Sequence, residues 1–224
     1  MRTVIAMKQS IFVWDLPLRV FHWLLAGGLI AAWATAEFGY EEQHLWVGYS
    51  ILTLLIFRLV WGFVGTYHAQ FKHFVRLPSL ANFKADDDTL GHSARGGWAV
   101  VAMLLFLLVQ ASSGLFTFGE IWSGPYAEWL GQKWLTKVHH INFNIVAALV
   151  GLHLVAIGFY QIVKKRPLIT AMFSGTKQRD ADQDEASIPH SKLVVAFVVL
   201  LLAGLAVFAL VTLAPEVEYD SYYY

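Results

Sequence analysis

Along the 224-residue chain, long apolar runs are broken by short polar stretches. A bilayer core takes about 20 predominantly apolar residues per helix. Five runs qualify: 17–37 (PLRVFHWLLAGGLIAAWATAE), 45–65, 97–118, 138–163 and 192–214. This pattern predicts an all-α integral membrane helix bundle, with a four-helix core followed by a fifth, C-terminal transmembrane helix. Asp15 ahead of Pro17 predicts a helix cap and first turn. The first run lacks a small-residue cleavage site and contains Arg19 and His22, so it reads as a retained span and not a signal peptide. The stretch 174–190 (SGTKQRDADQDEASIPH) is polar and predicts a flexible connector to the last span. Neither a soluble domain nor an internal repeat is visible.

Composition supports the membrane assignment. The chain is 57% hydrophobic and only 14% charged, with a mean hydropathy of +0.53, against about 25% charged residues in a typical soluble domain. Basic and acidic residues balance at 16 each, so net charge gives no reason to expect a nucleic-acid partner. The absence of cysteine excludes disulfides, thiolate-held zinc, cysteine-bound iron–sulfur clusters and covalently attached haem. The distribution of charge gives a direction. Arg2, Lys8, Arg19, the 66–96 loop (Lys72, Arg76, Lys84, Arg95) and the run Lys164, Lys165, Arg166 lie on one side. Glu37, Glu41, Glu42, Glu120 and Glu128 lie on the other, beside Lys133 and Lys137. The expected topology has a cytoplasmic N-terminus and a C-terminus on the far side.

Histidines in the spans need a reason, because an unpaired ionisable group in hydrocarbon is costly. With this topology His22 and His153 lie at the inner depth, and His44 and His139 at the outer depth. A lone histidine bonding a neighbouring hydroxyl or carbonyl explains one such residue; two depth-matched pairs point to two bis-histidine sites. Helical phase separates the adjacent pair. His139 and His153 are 14 residues apart, which at about 100° per residue leaves them about 40° apart in direction and about 21 Å apart along the axis. His140 lies about 140° from His153, so it is not expected to be a ligand.

The donor set narrows the cofactor. Zinc would call for further Cys, Asp or Glu ligands, and copper is usually marked by Cys or Met. A porphyrin brings four nitrogens of its own and needs two axial histidines. Gly27, Gly28, Gly48, Gly114 and Gly151 would let a flat ring approach the backbone, although close helix packing explains such glycines equally. Arg19, one turn from His22, is placed to neutralise a haem propionate. Snorkelling to the interface explains it as well, and Arg58 near the inner end of the second run carries the same two readings.

The segment VWDLPLRVFHW (13–23) matches the pattern W-D-x-P-x-R-x-x-H-W at Trp14, Asp15, Pro17, Arg19, His22 and Trp23. It resembles the opening of the bacterial di-haem cytochrome b family, comprising the prokaryotic cytochrome b-561 proteins and the b-type cytochrome subunit of nickel–iron hydrogenases. The likeness continues through His44 with Gly48 and the two fourth-span histidines. It implies two haem b groups, one held by His22 and His153 and the other by His44 and His139, with neither iron open to oxygen chemistry. It also implies a chain divided into a four-helix di-haem core (1–166), a cytoplasmic connector (167–191) and a fifth helix with a short tail (192–224). The expected setting is the bacterial inner membrane, among lipid.

The expected function is electron transfer between the quinone pool and a redox partner such as a hydrogenase, another dehydrogenase or a periplasmic c-type cytochrome. A quinone is a further expected ligand, with His68, Lys72 and His73 as inner-side candidates, though a solvated loop accounts for these three at least as well. Trp122, Tyr126, Trp129 and Trp134 are candidates for an outer docking surface, and an ordinary aromatic belt accounts for them equally. Whether the chain is itself an enzyme is left open. The alternative to an electron-transfer subunit is a stand-alone oxidoreductase such as a superoxide:quinone oxidoreductase, in which Lys133 and Lys137 would draw in the anion. A homodimer is a further option. A histidine-relay metal transporter would carry acids or methionines inside its spans, and Met103 aside these are missing.

Overall fold

The computed structural model describes residues 9–75, 91, 93–119, 123–130, 133–179, 187–188 and 190–215. Strand β1 (Gln9–Phe12) leads into α1 (Leu16–Glu37) and α2 (Glu41–Val64). A 3₁₀ turn (Tyr67–Ala69) and the short α3 (Phe71–Phe74) follow. Then come α4 (Ala94–Gly114), α5 (Ala127–Leu130), α6 (Lys133–Ile162), α7 (Leu168–Ser174), strand β2 (Thr176–Arg179) and α8 (Leu193–Thr212). Five of these helices are long and apolar enough to cross a membrane. They match the five predicted runs, with α6 starting at Lys133, ahead of the predicted 138. Their outer surfaces are apolar: Ile30, Trp33, Leu152, Val155, Val194 and Phe197 are all exposed. That is an untenable surface in water and a natural one in lipid, where helices satisfy their own backbone groups.

Local signals set the helix ends. Asp15 caps α1 by accepting from the Leu18 N–H at 2.7 Å, with Pro17 in the first turn. Ser93 caps α4 through Gly96 N at 3.1 Å. Glu41 and Glu42 occupy the first turn of α2, where the helix dipole favours anions.

The helices pack in the order α1, α2, α4, α6, and α8 lies against α2 outside that row. Ala196, Ala203 and Val207 form the buried stripe of α8, small residues that allow close approach between membrane helices. Both ends of α8 are tied down. Lys192 Nζ donates to the carbonyls of Val64 (3.1 Å) and Gly65 (2.9 Å), and the Tyr126 hydroxyl donates to the Leu210 carbonyl at 2.6 Å.

Part of the 174–190 stretch, expected to be a flexible connector, is held in regular structure. Its first part is strand β2, antiparallel to β1 with Gln9 opposite Arg179 and Phe12 opposite Thr176. Beyond it Ile188 N donates to Phe12 O at 3.0 Å. The polar composition hid a ladder whose partner lies far away at the start of the chain. The end of the bundle where α1 begins is its inner end.

Candidate cofactor site

Helix α6 packs along α4 and makes no extended contact with α1 or α2, yet its histidines face those helices. The His44 and His139 rings meet edge to face, with centroids 6.3 Å apart and planes at 87°. His22 and His153 lie within electrostatic reach of each other nearer the inner end. The fold therefore brings the four expected histidines together as two pairs across one seam. His140 points the other way and is exposed. It borders a groove of about 510 Å³ with Phe118, Lys133, Lys137 and Asn144.

Hydrogen bonds fix the outer pair. His44 Nδ1 lies 2.9 Å from the Ala32 carbonyl, and His139 Nδ1 lies 3.0 Å from the Gln110 carbonyl. A carbonyl only accepts, so both rings carry a proton on Nδ1, and a metal would be bound through an Nε2 lone pair. This is the arrangement in which the backbone orients a metal-binding imidazole. At His139 that lone pair accepts from the Gln110 side-chain amide at 3.1 Å. The amide is itself held by Asn142, whose Nδ2 donates to Gln110 Oε1 (2.7 Å) and to Phe106 O (2.9 Å). Asn142 is only 4% exposed. The sequence reasoning missed this network; its one advance signal is that Asn142 lies three residues from His139 on the same helix face.

At the inner pair, His22 Nδ1 is buried without a hydrogen-bond partner among the described residues. The remaining inner candidates are more engaged. Arg19 donates through Nη1 to the Phe173 carbonyl in α7, leaving Nε buried and without a partner among the described residues. His68 is buried, its ring 6.5 Å from that of Trp14. Lys72 is exposed, and His73 stacks on Tyr67 at 3.8 Å. Partial burial, then the neighbouring Lys72 and His68, lower the His73 pKa and favour its neutral form. On the outer side Tyr126 serves α8, Trp129 and Trp134 are exposed, and Trp122 lies outside the described residues.

Haem b fits this donor set: two imidazoles per site, with one ring nitrogen of the inner pair left without a hydrogen-bond partner among the described residues. Among the described residues no group of three or more His, Asp or Glu gathers as a closed metal site would require. A Cβ built on Gly27, Gly48 or Gly151 meets nothing within 4 Å. By contrast, one on Gly28 would lie 3.2 Å from Ile51, and one on Gly114 3.1 Å from His139. Gly28 thus serves α1–α2 packing, and Gly114 makes room for the histidine itself.

Residues 13–175 match the family described as prokaryotic cytochrome b561. Among curated proteins, the chain is 22% identical over 214 residues to a "Probable Ni/Fe-hydrogenase B-type cytochrome subunit" of Rhizobium leguminosarum bv. viciae, covering 76% of this chain and 90% of that one. It is also 22% identical over 229 residues to a protein of the same name from Azotobacter chroococcum mcd 1, covering 80% and 92%. No solved structure matches.

Proposed function

Since the chain belongs to the prokaryotic cytochrome b561 family, a family of haem-binding membrane cytochromes, we propose that it carries electrons across the bilayer through two haem b sites. His22 and His153 would hold one haem, and His44 and His139 the other. The observation that carries this reading is the seam: His44 and His139 meet ring to ring, and His22 and His153 come within electrostatic reach, across a boundary where α6 makes no extended contact with α1 or α2. Haem, when bound, supplies one-electron redox chemistry at its iron. The chain's own residues do the rest. The carbonyls of Ala32 and Gln110 hold the outer imidazoles by Nδ1–H. Arg19 Nε, buried without a hydrogen-bond partner among the described residues, would be available to a propionate.

The proposed setting is the bacterial inner membrane with the inner end cytoplasmic, supported by Arg19, Lys164, Lys165, Arg166, Lys177 and Lys192 at that end. The partner within the bilayer would be a quinone, the lipid-soluble carrier that a buried site can meet. The partner outside the bilayer would be a hydrogenase, the assembly named for both curated relatives. The role is that of an electron-transfer subunit, with residues 1–166 forming the cofactor core, 167–191 the connector and 192–224 a fifth transmembrane helix with a short outer tail.

Purified protein in liposomes tests this. A quinol analogue should reduce both haems, seen as a rise in their α-band absorbance, and an added hydrogenase should exchange electrons with them. Haem spectra that no quinol or hydrogenase alters would contradict the reading. Reduction by superoxide in place of either would favour the stand-alone oxidoreductase.

A further inference from the structure

Arg58 is charged, lies inside a membrane span, and is only 2% exposed. Both terminal guanidinium nitrogens are buried with no hydrogen-bond partner among the described residues. A snorkelling arginine brings its head group to water, so burial removes that reading. An arginine whose fork is buried and unused lacks an anion.

Its surroundings show where that anion belongs. Asp15, fully buried, provides a compensating charge. Its oxygens are already committed, Oδ1 to Leu18 N at 2.7 Å and Oδ2 to Trp61 Nε1 at 3.2 Å and the Thr66 hydroxyl. Asp15 therefore balances Arg58 through the field without occupying its donors. The Phe71 and Phe74 rings lie 4.7 and 6.0 Å from the guanidinium carbon.

Helix register supplies the rest. His44 beside Ala32 and Trp61 beside Asp15 define a single antiparallel register of α1 and α2. That register sets Arg58 opposite Leu18, four residues inward of His22, or about 6 Å of helix rise. Arg58 also lies 14 residues from His44, about 40° away in direction. It thus occupies the α2 face that carries a seam histidine, just inward of the His22–His153 pair.

We propose that Arg58 is the buried clamp for a carboxylate of the cofactor at His22 and His153, taking one propionate of that haem through both terminal nitrogens. This deepens the di-haem reading and rests on it. Arg19 spends Nη1 on the Phe173 carbonyl, whereas both terminal nitrogens of Arg58 are without a partner among the described residues.

The test is a redox titration of purified holoprotein, wild type against Arg58→Gln. A cation beside a haem favours its reduced form. Losing it should lower the potential of the haem that His22→Ala removes, changing its reduced-to-oxidised ratio at fixed potential at least tenfold, or 59 mV for one electron. The other haem should move less. The resonance Raman propionate bending band of the holoprotein should also shift in Arg58→Gln, a readout that the cation's field at the iron alone would not move. Equal titrations of wild type and variant, or an unchanged propionate band, would overturn the proposal. If Arg58→Gln does not fold, Arg58→Lys carries the test: the resonance Raman propionate bending band should shift with the loss of the fork, and an unchanged band would overturn it. If His22→Ala leaves haem content unaltered, the di-haem reading itself is wrong, and the clamp falls with it.

Discussion

His139 and His140 are neighbours in sequence with opposite surroundings. His139 is held by the Gln110 carbonyl and faces His44, whereas His140 is exposed beside Lys137 and Asn144. Replacing His139 by alanine should reduce haem content from two to one per chain, while His140→Ala should retain two. Pyridine haemochrome spectra of the purified variants check this, and the opposite result would invalidate the phase argument. The choice between them was legible because 14 residues nearly complete whole turns of a helix. The His139–Gln110–Asn142 network was not, because nothing in one sequence says which polar side chains of different helices meet. Arg58 was half legible. Its charge inside a span flagged it, but only burial separates a clamp from a snorkelling residue.

The five long helices were readable from hydropathy because lipid imposes their length. The short elements at the inner end were not. Strands β1 and β2 have four residues each, too few for a period to register, and each needs its distant partner. Their junction turns on Gly175, which ends α7 at φ +86° and accepts from Val13 N (2.9 Å) and Trp14 N (3.0 Å). A Cβ there would lie 2.6 Å from Phe12 and 2.8 Å from the Trp14 carbonyl. The left-handed conformation alone costs a residue with a side chain about 1–2 kcal/mol, and the backbone clash adds to it. Gly175→Ala should therefore lower the unfolding temperature of the purified protein in detergent by several degrees. An unchanged value would mean that the ladder contributes nothing to holding α1 and α7 together.

Taken whole, the molecule is an apolar exterior around a polar line. His44 and His139 lie toward one end of the seam, with His22, His153, Arg58 and Asp15 toward the other. About 21 Å of helix rise separates the two histidines of α6, a large share of a hydrocarbon core about 30 Å thick. Helix α8 stands outside this line, packed along α2 and fastened at one end to the carbonyl of Gly65 and at the other by the Tyr126 hydroxyl, and contributes packing without a histidine. A single α6 serving both pairs is what makes the arrangement suited to moving electrons through the bilayer. The most direct measurement of that claim is haem per chain in the purified protein, by pyridine haemochrome against quantitative amino-acid analysis. Two haem b per chain, falling to one in His139→Ala and to one in His22→Ala, is the predicted result; a single haem, or none, in the wild type would contradict it.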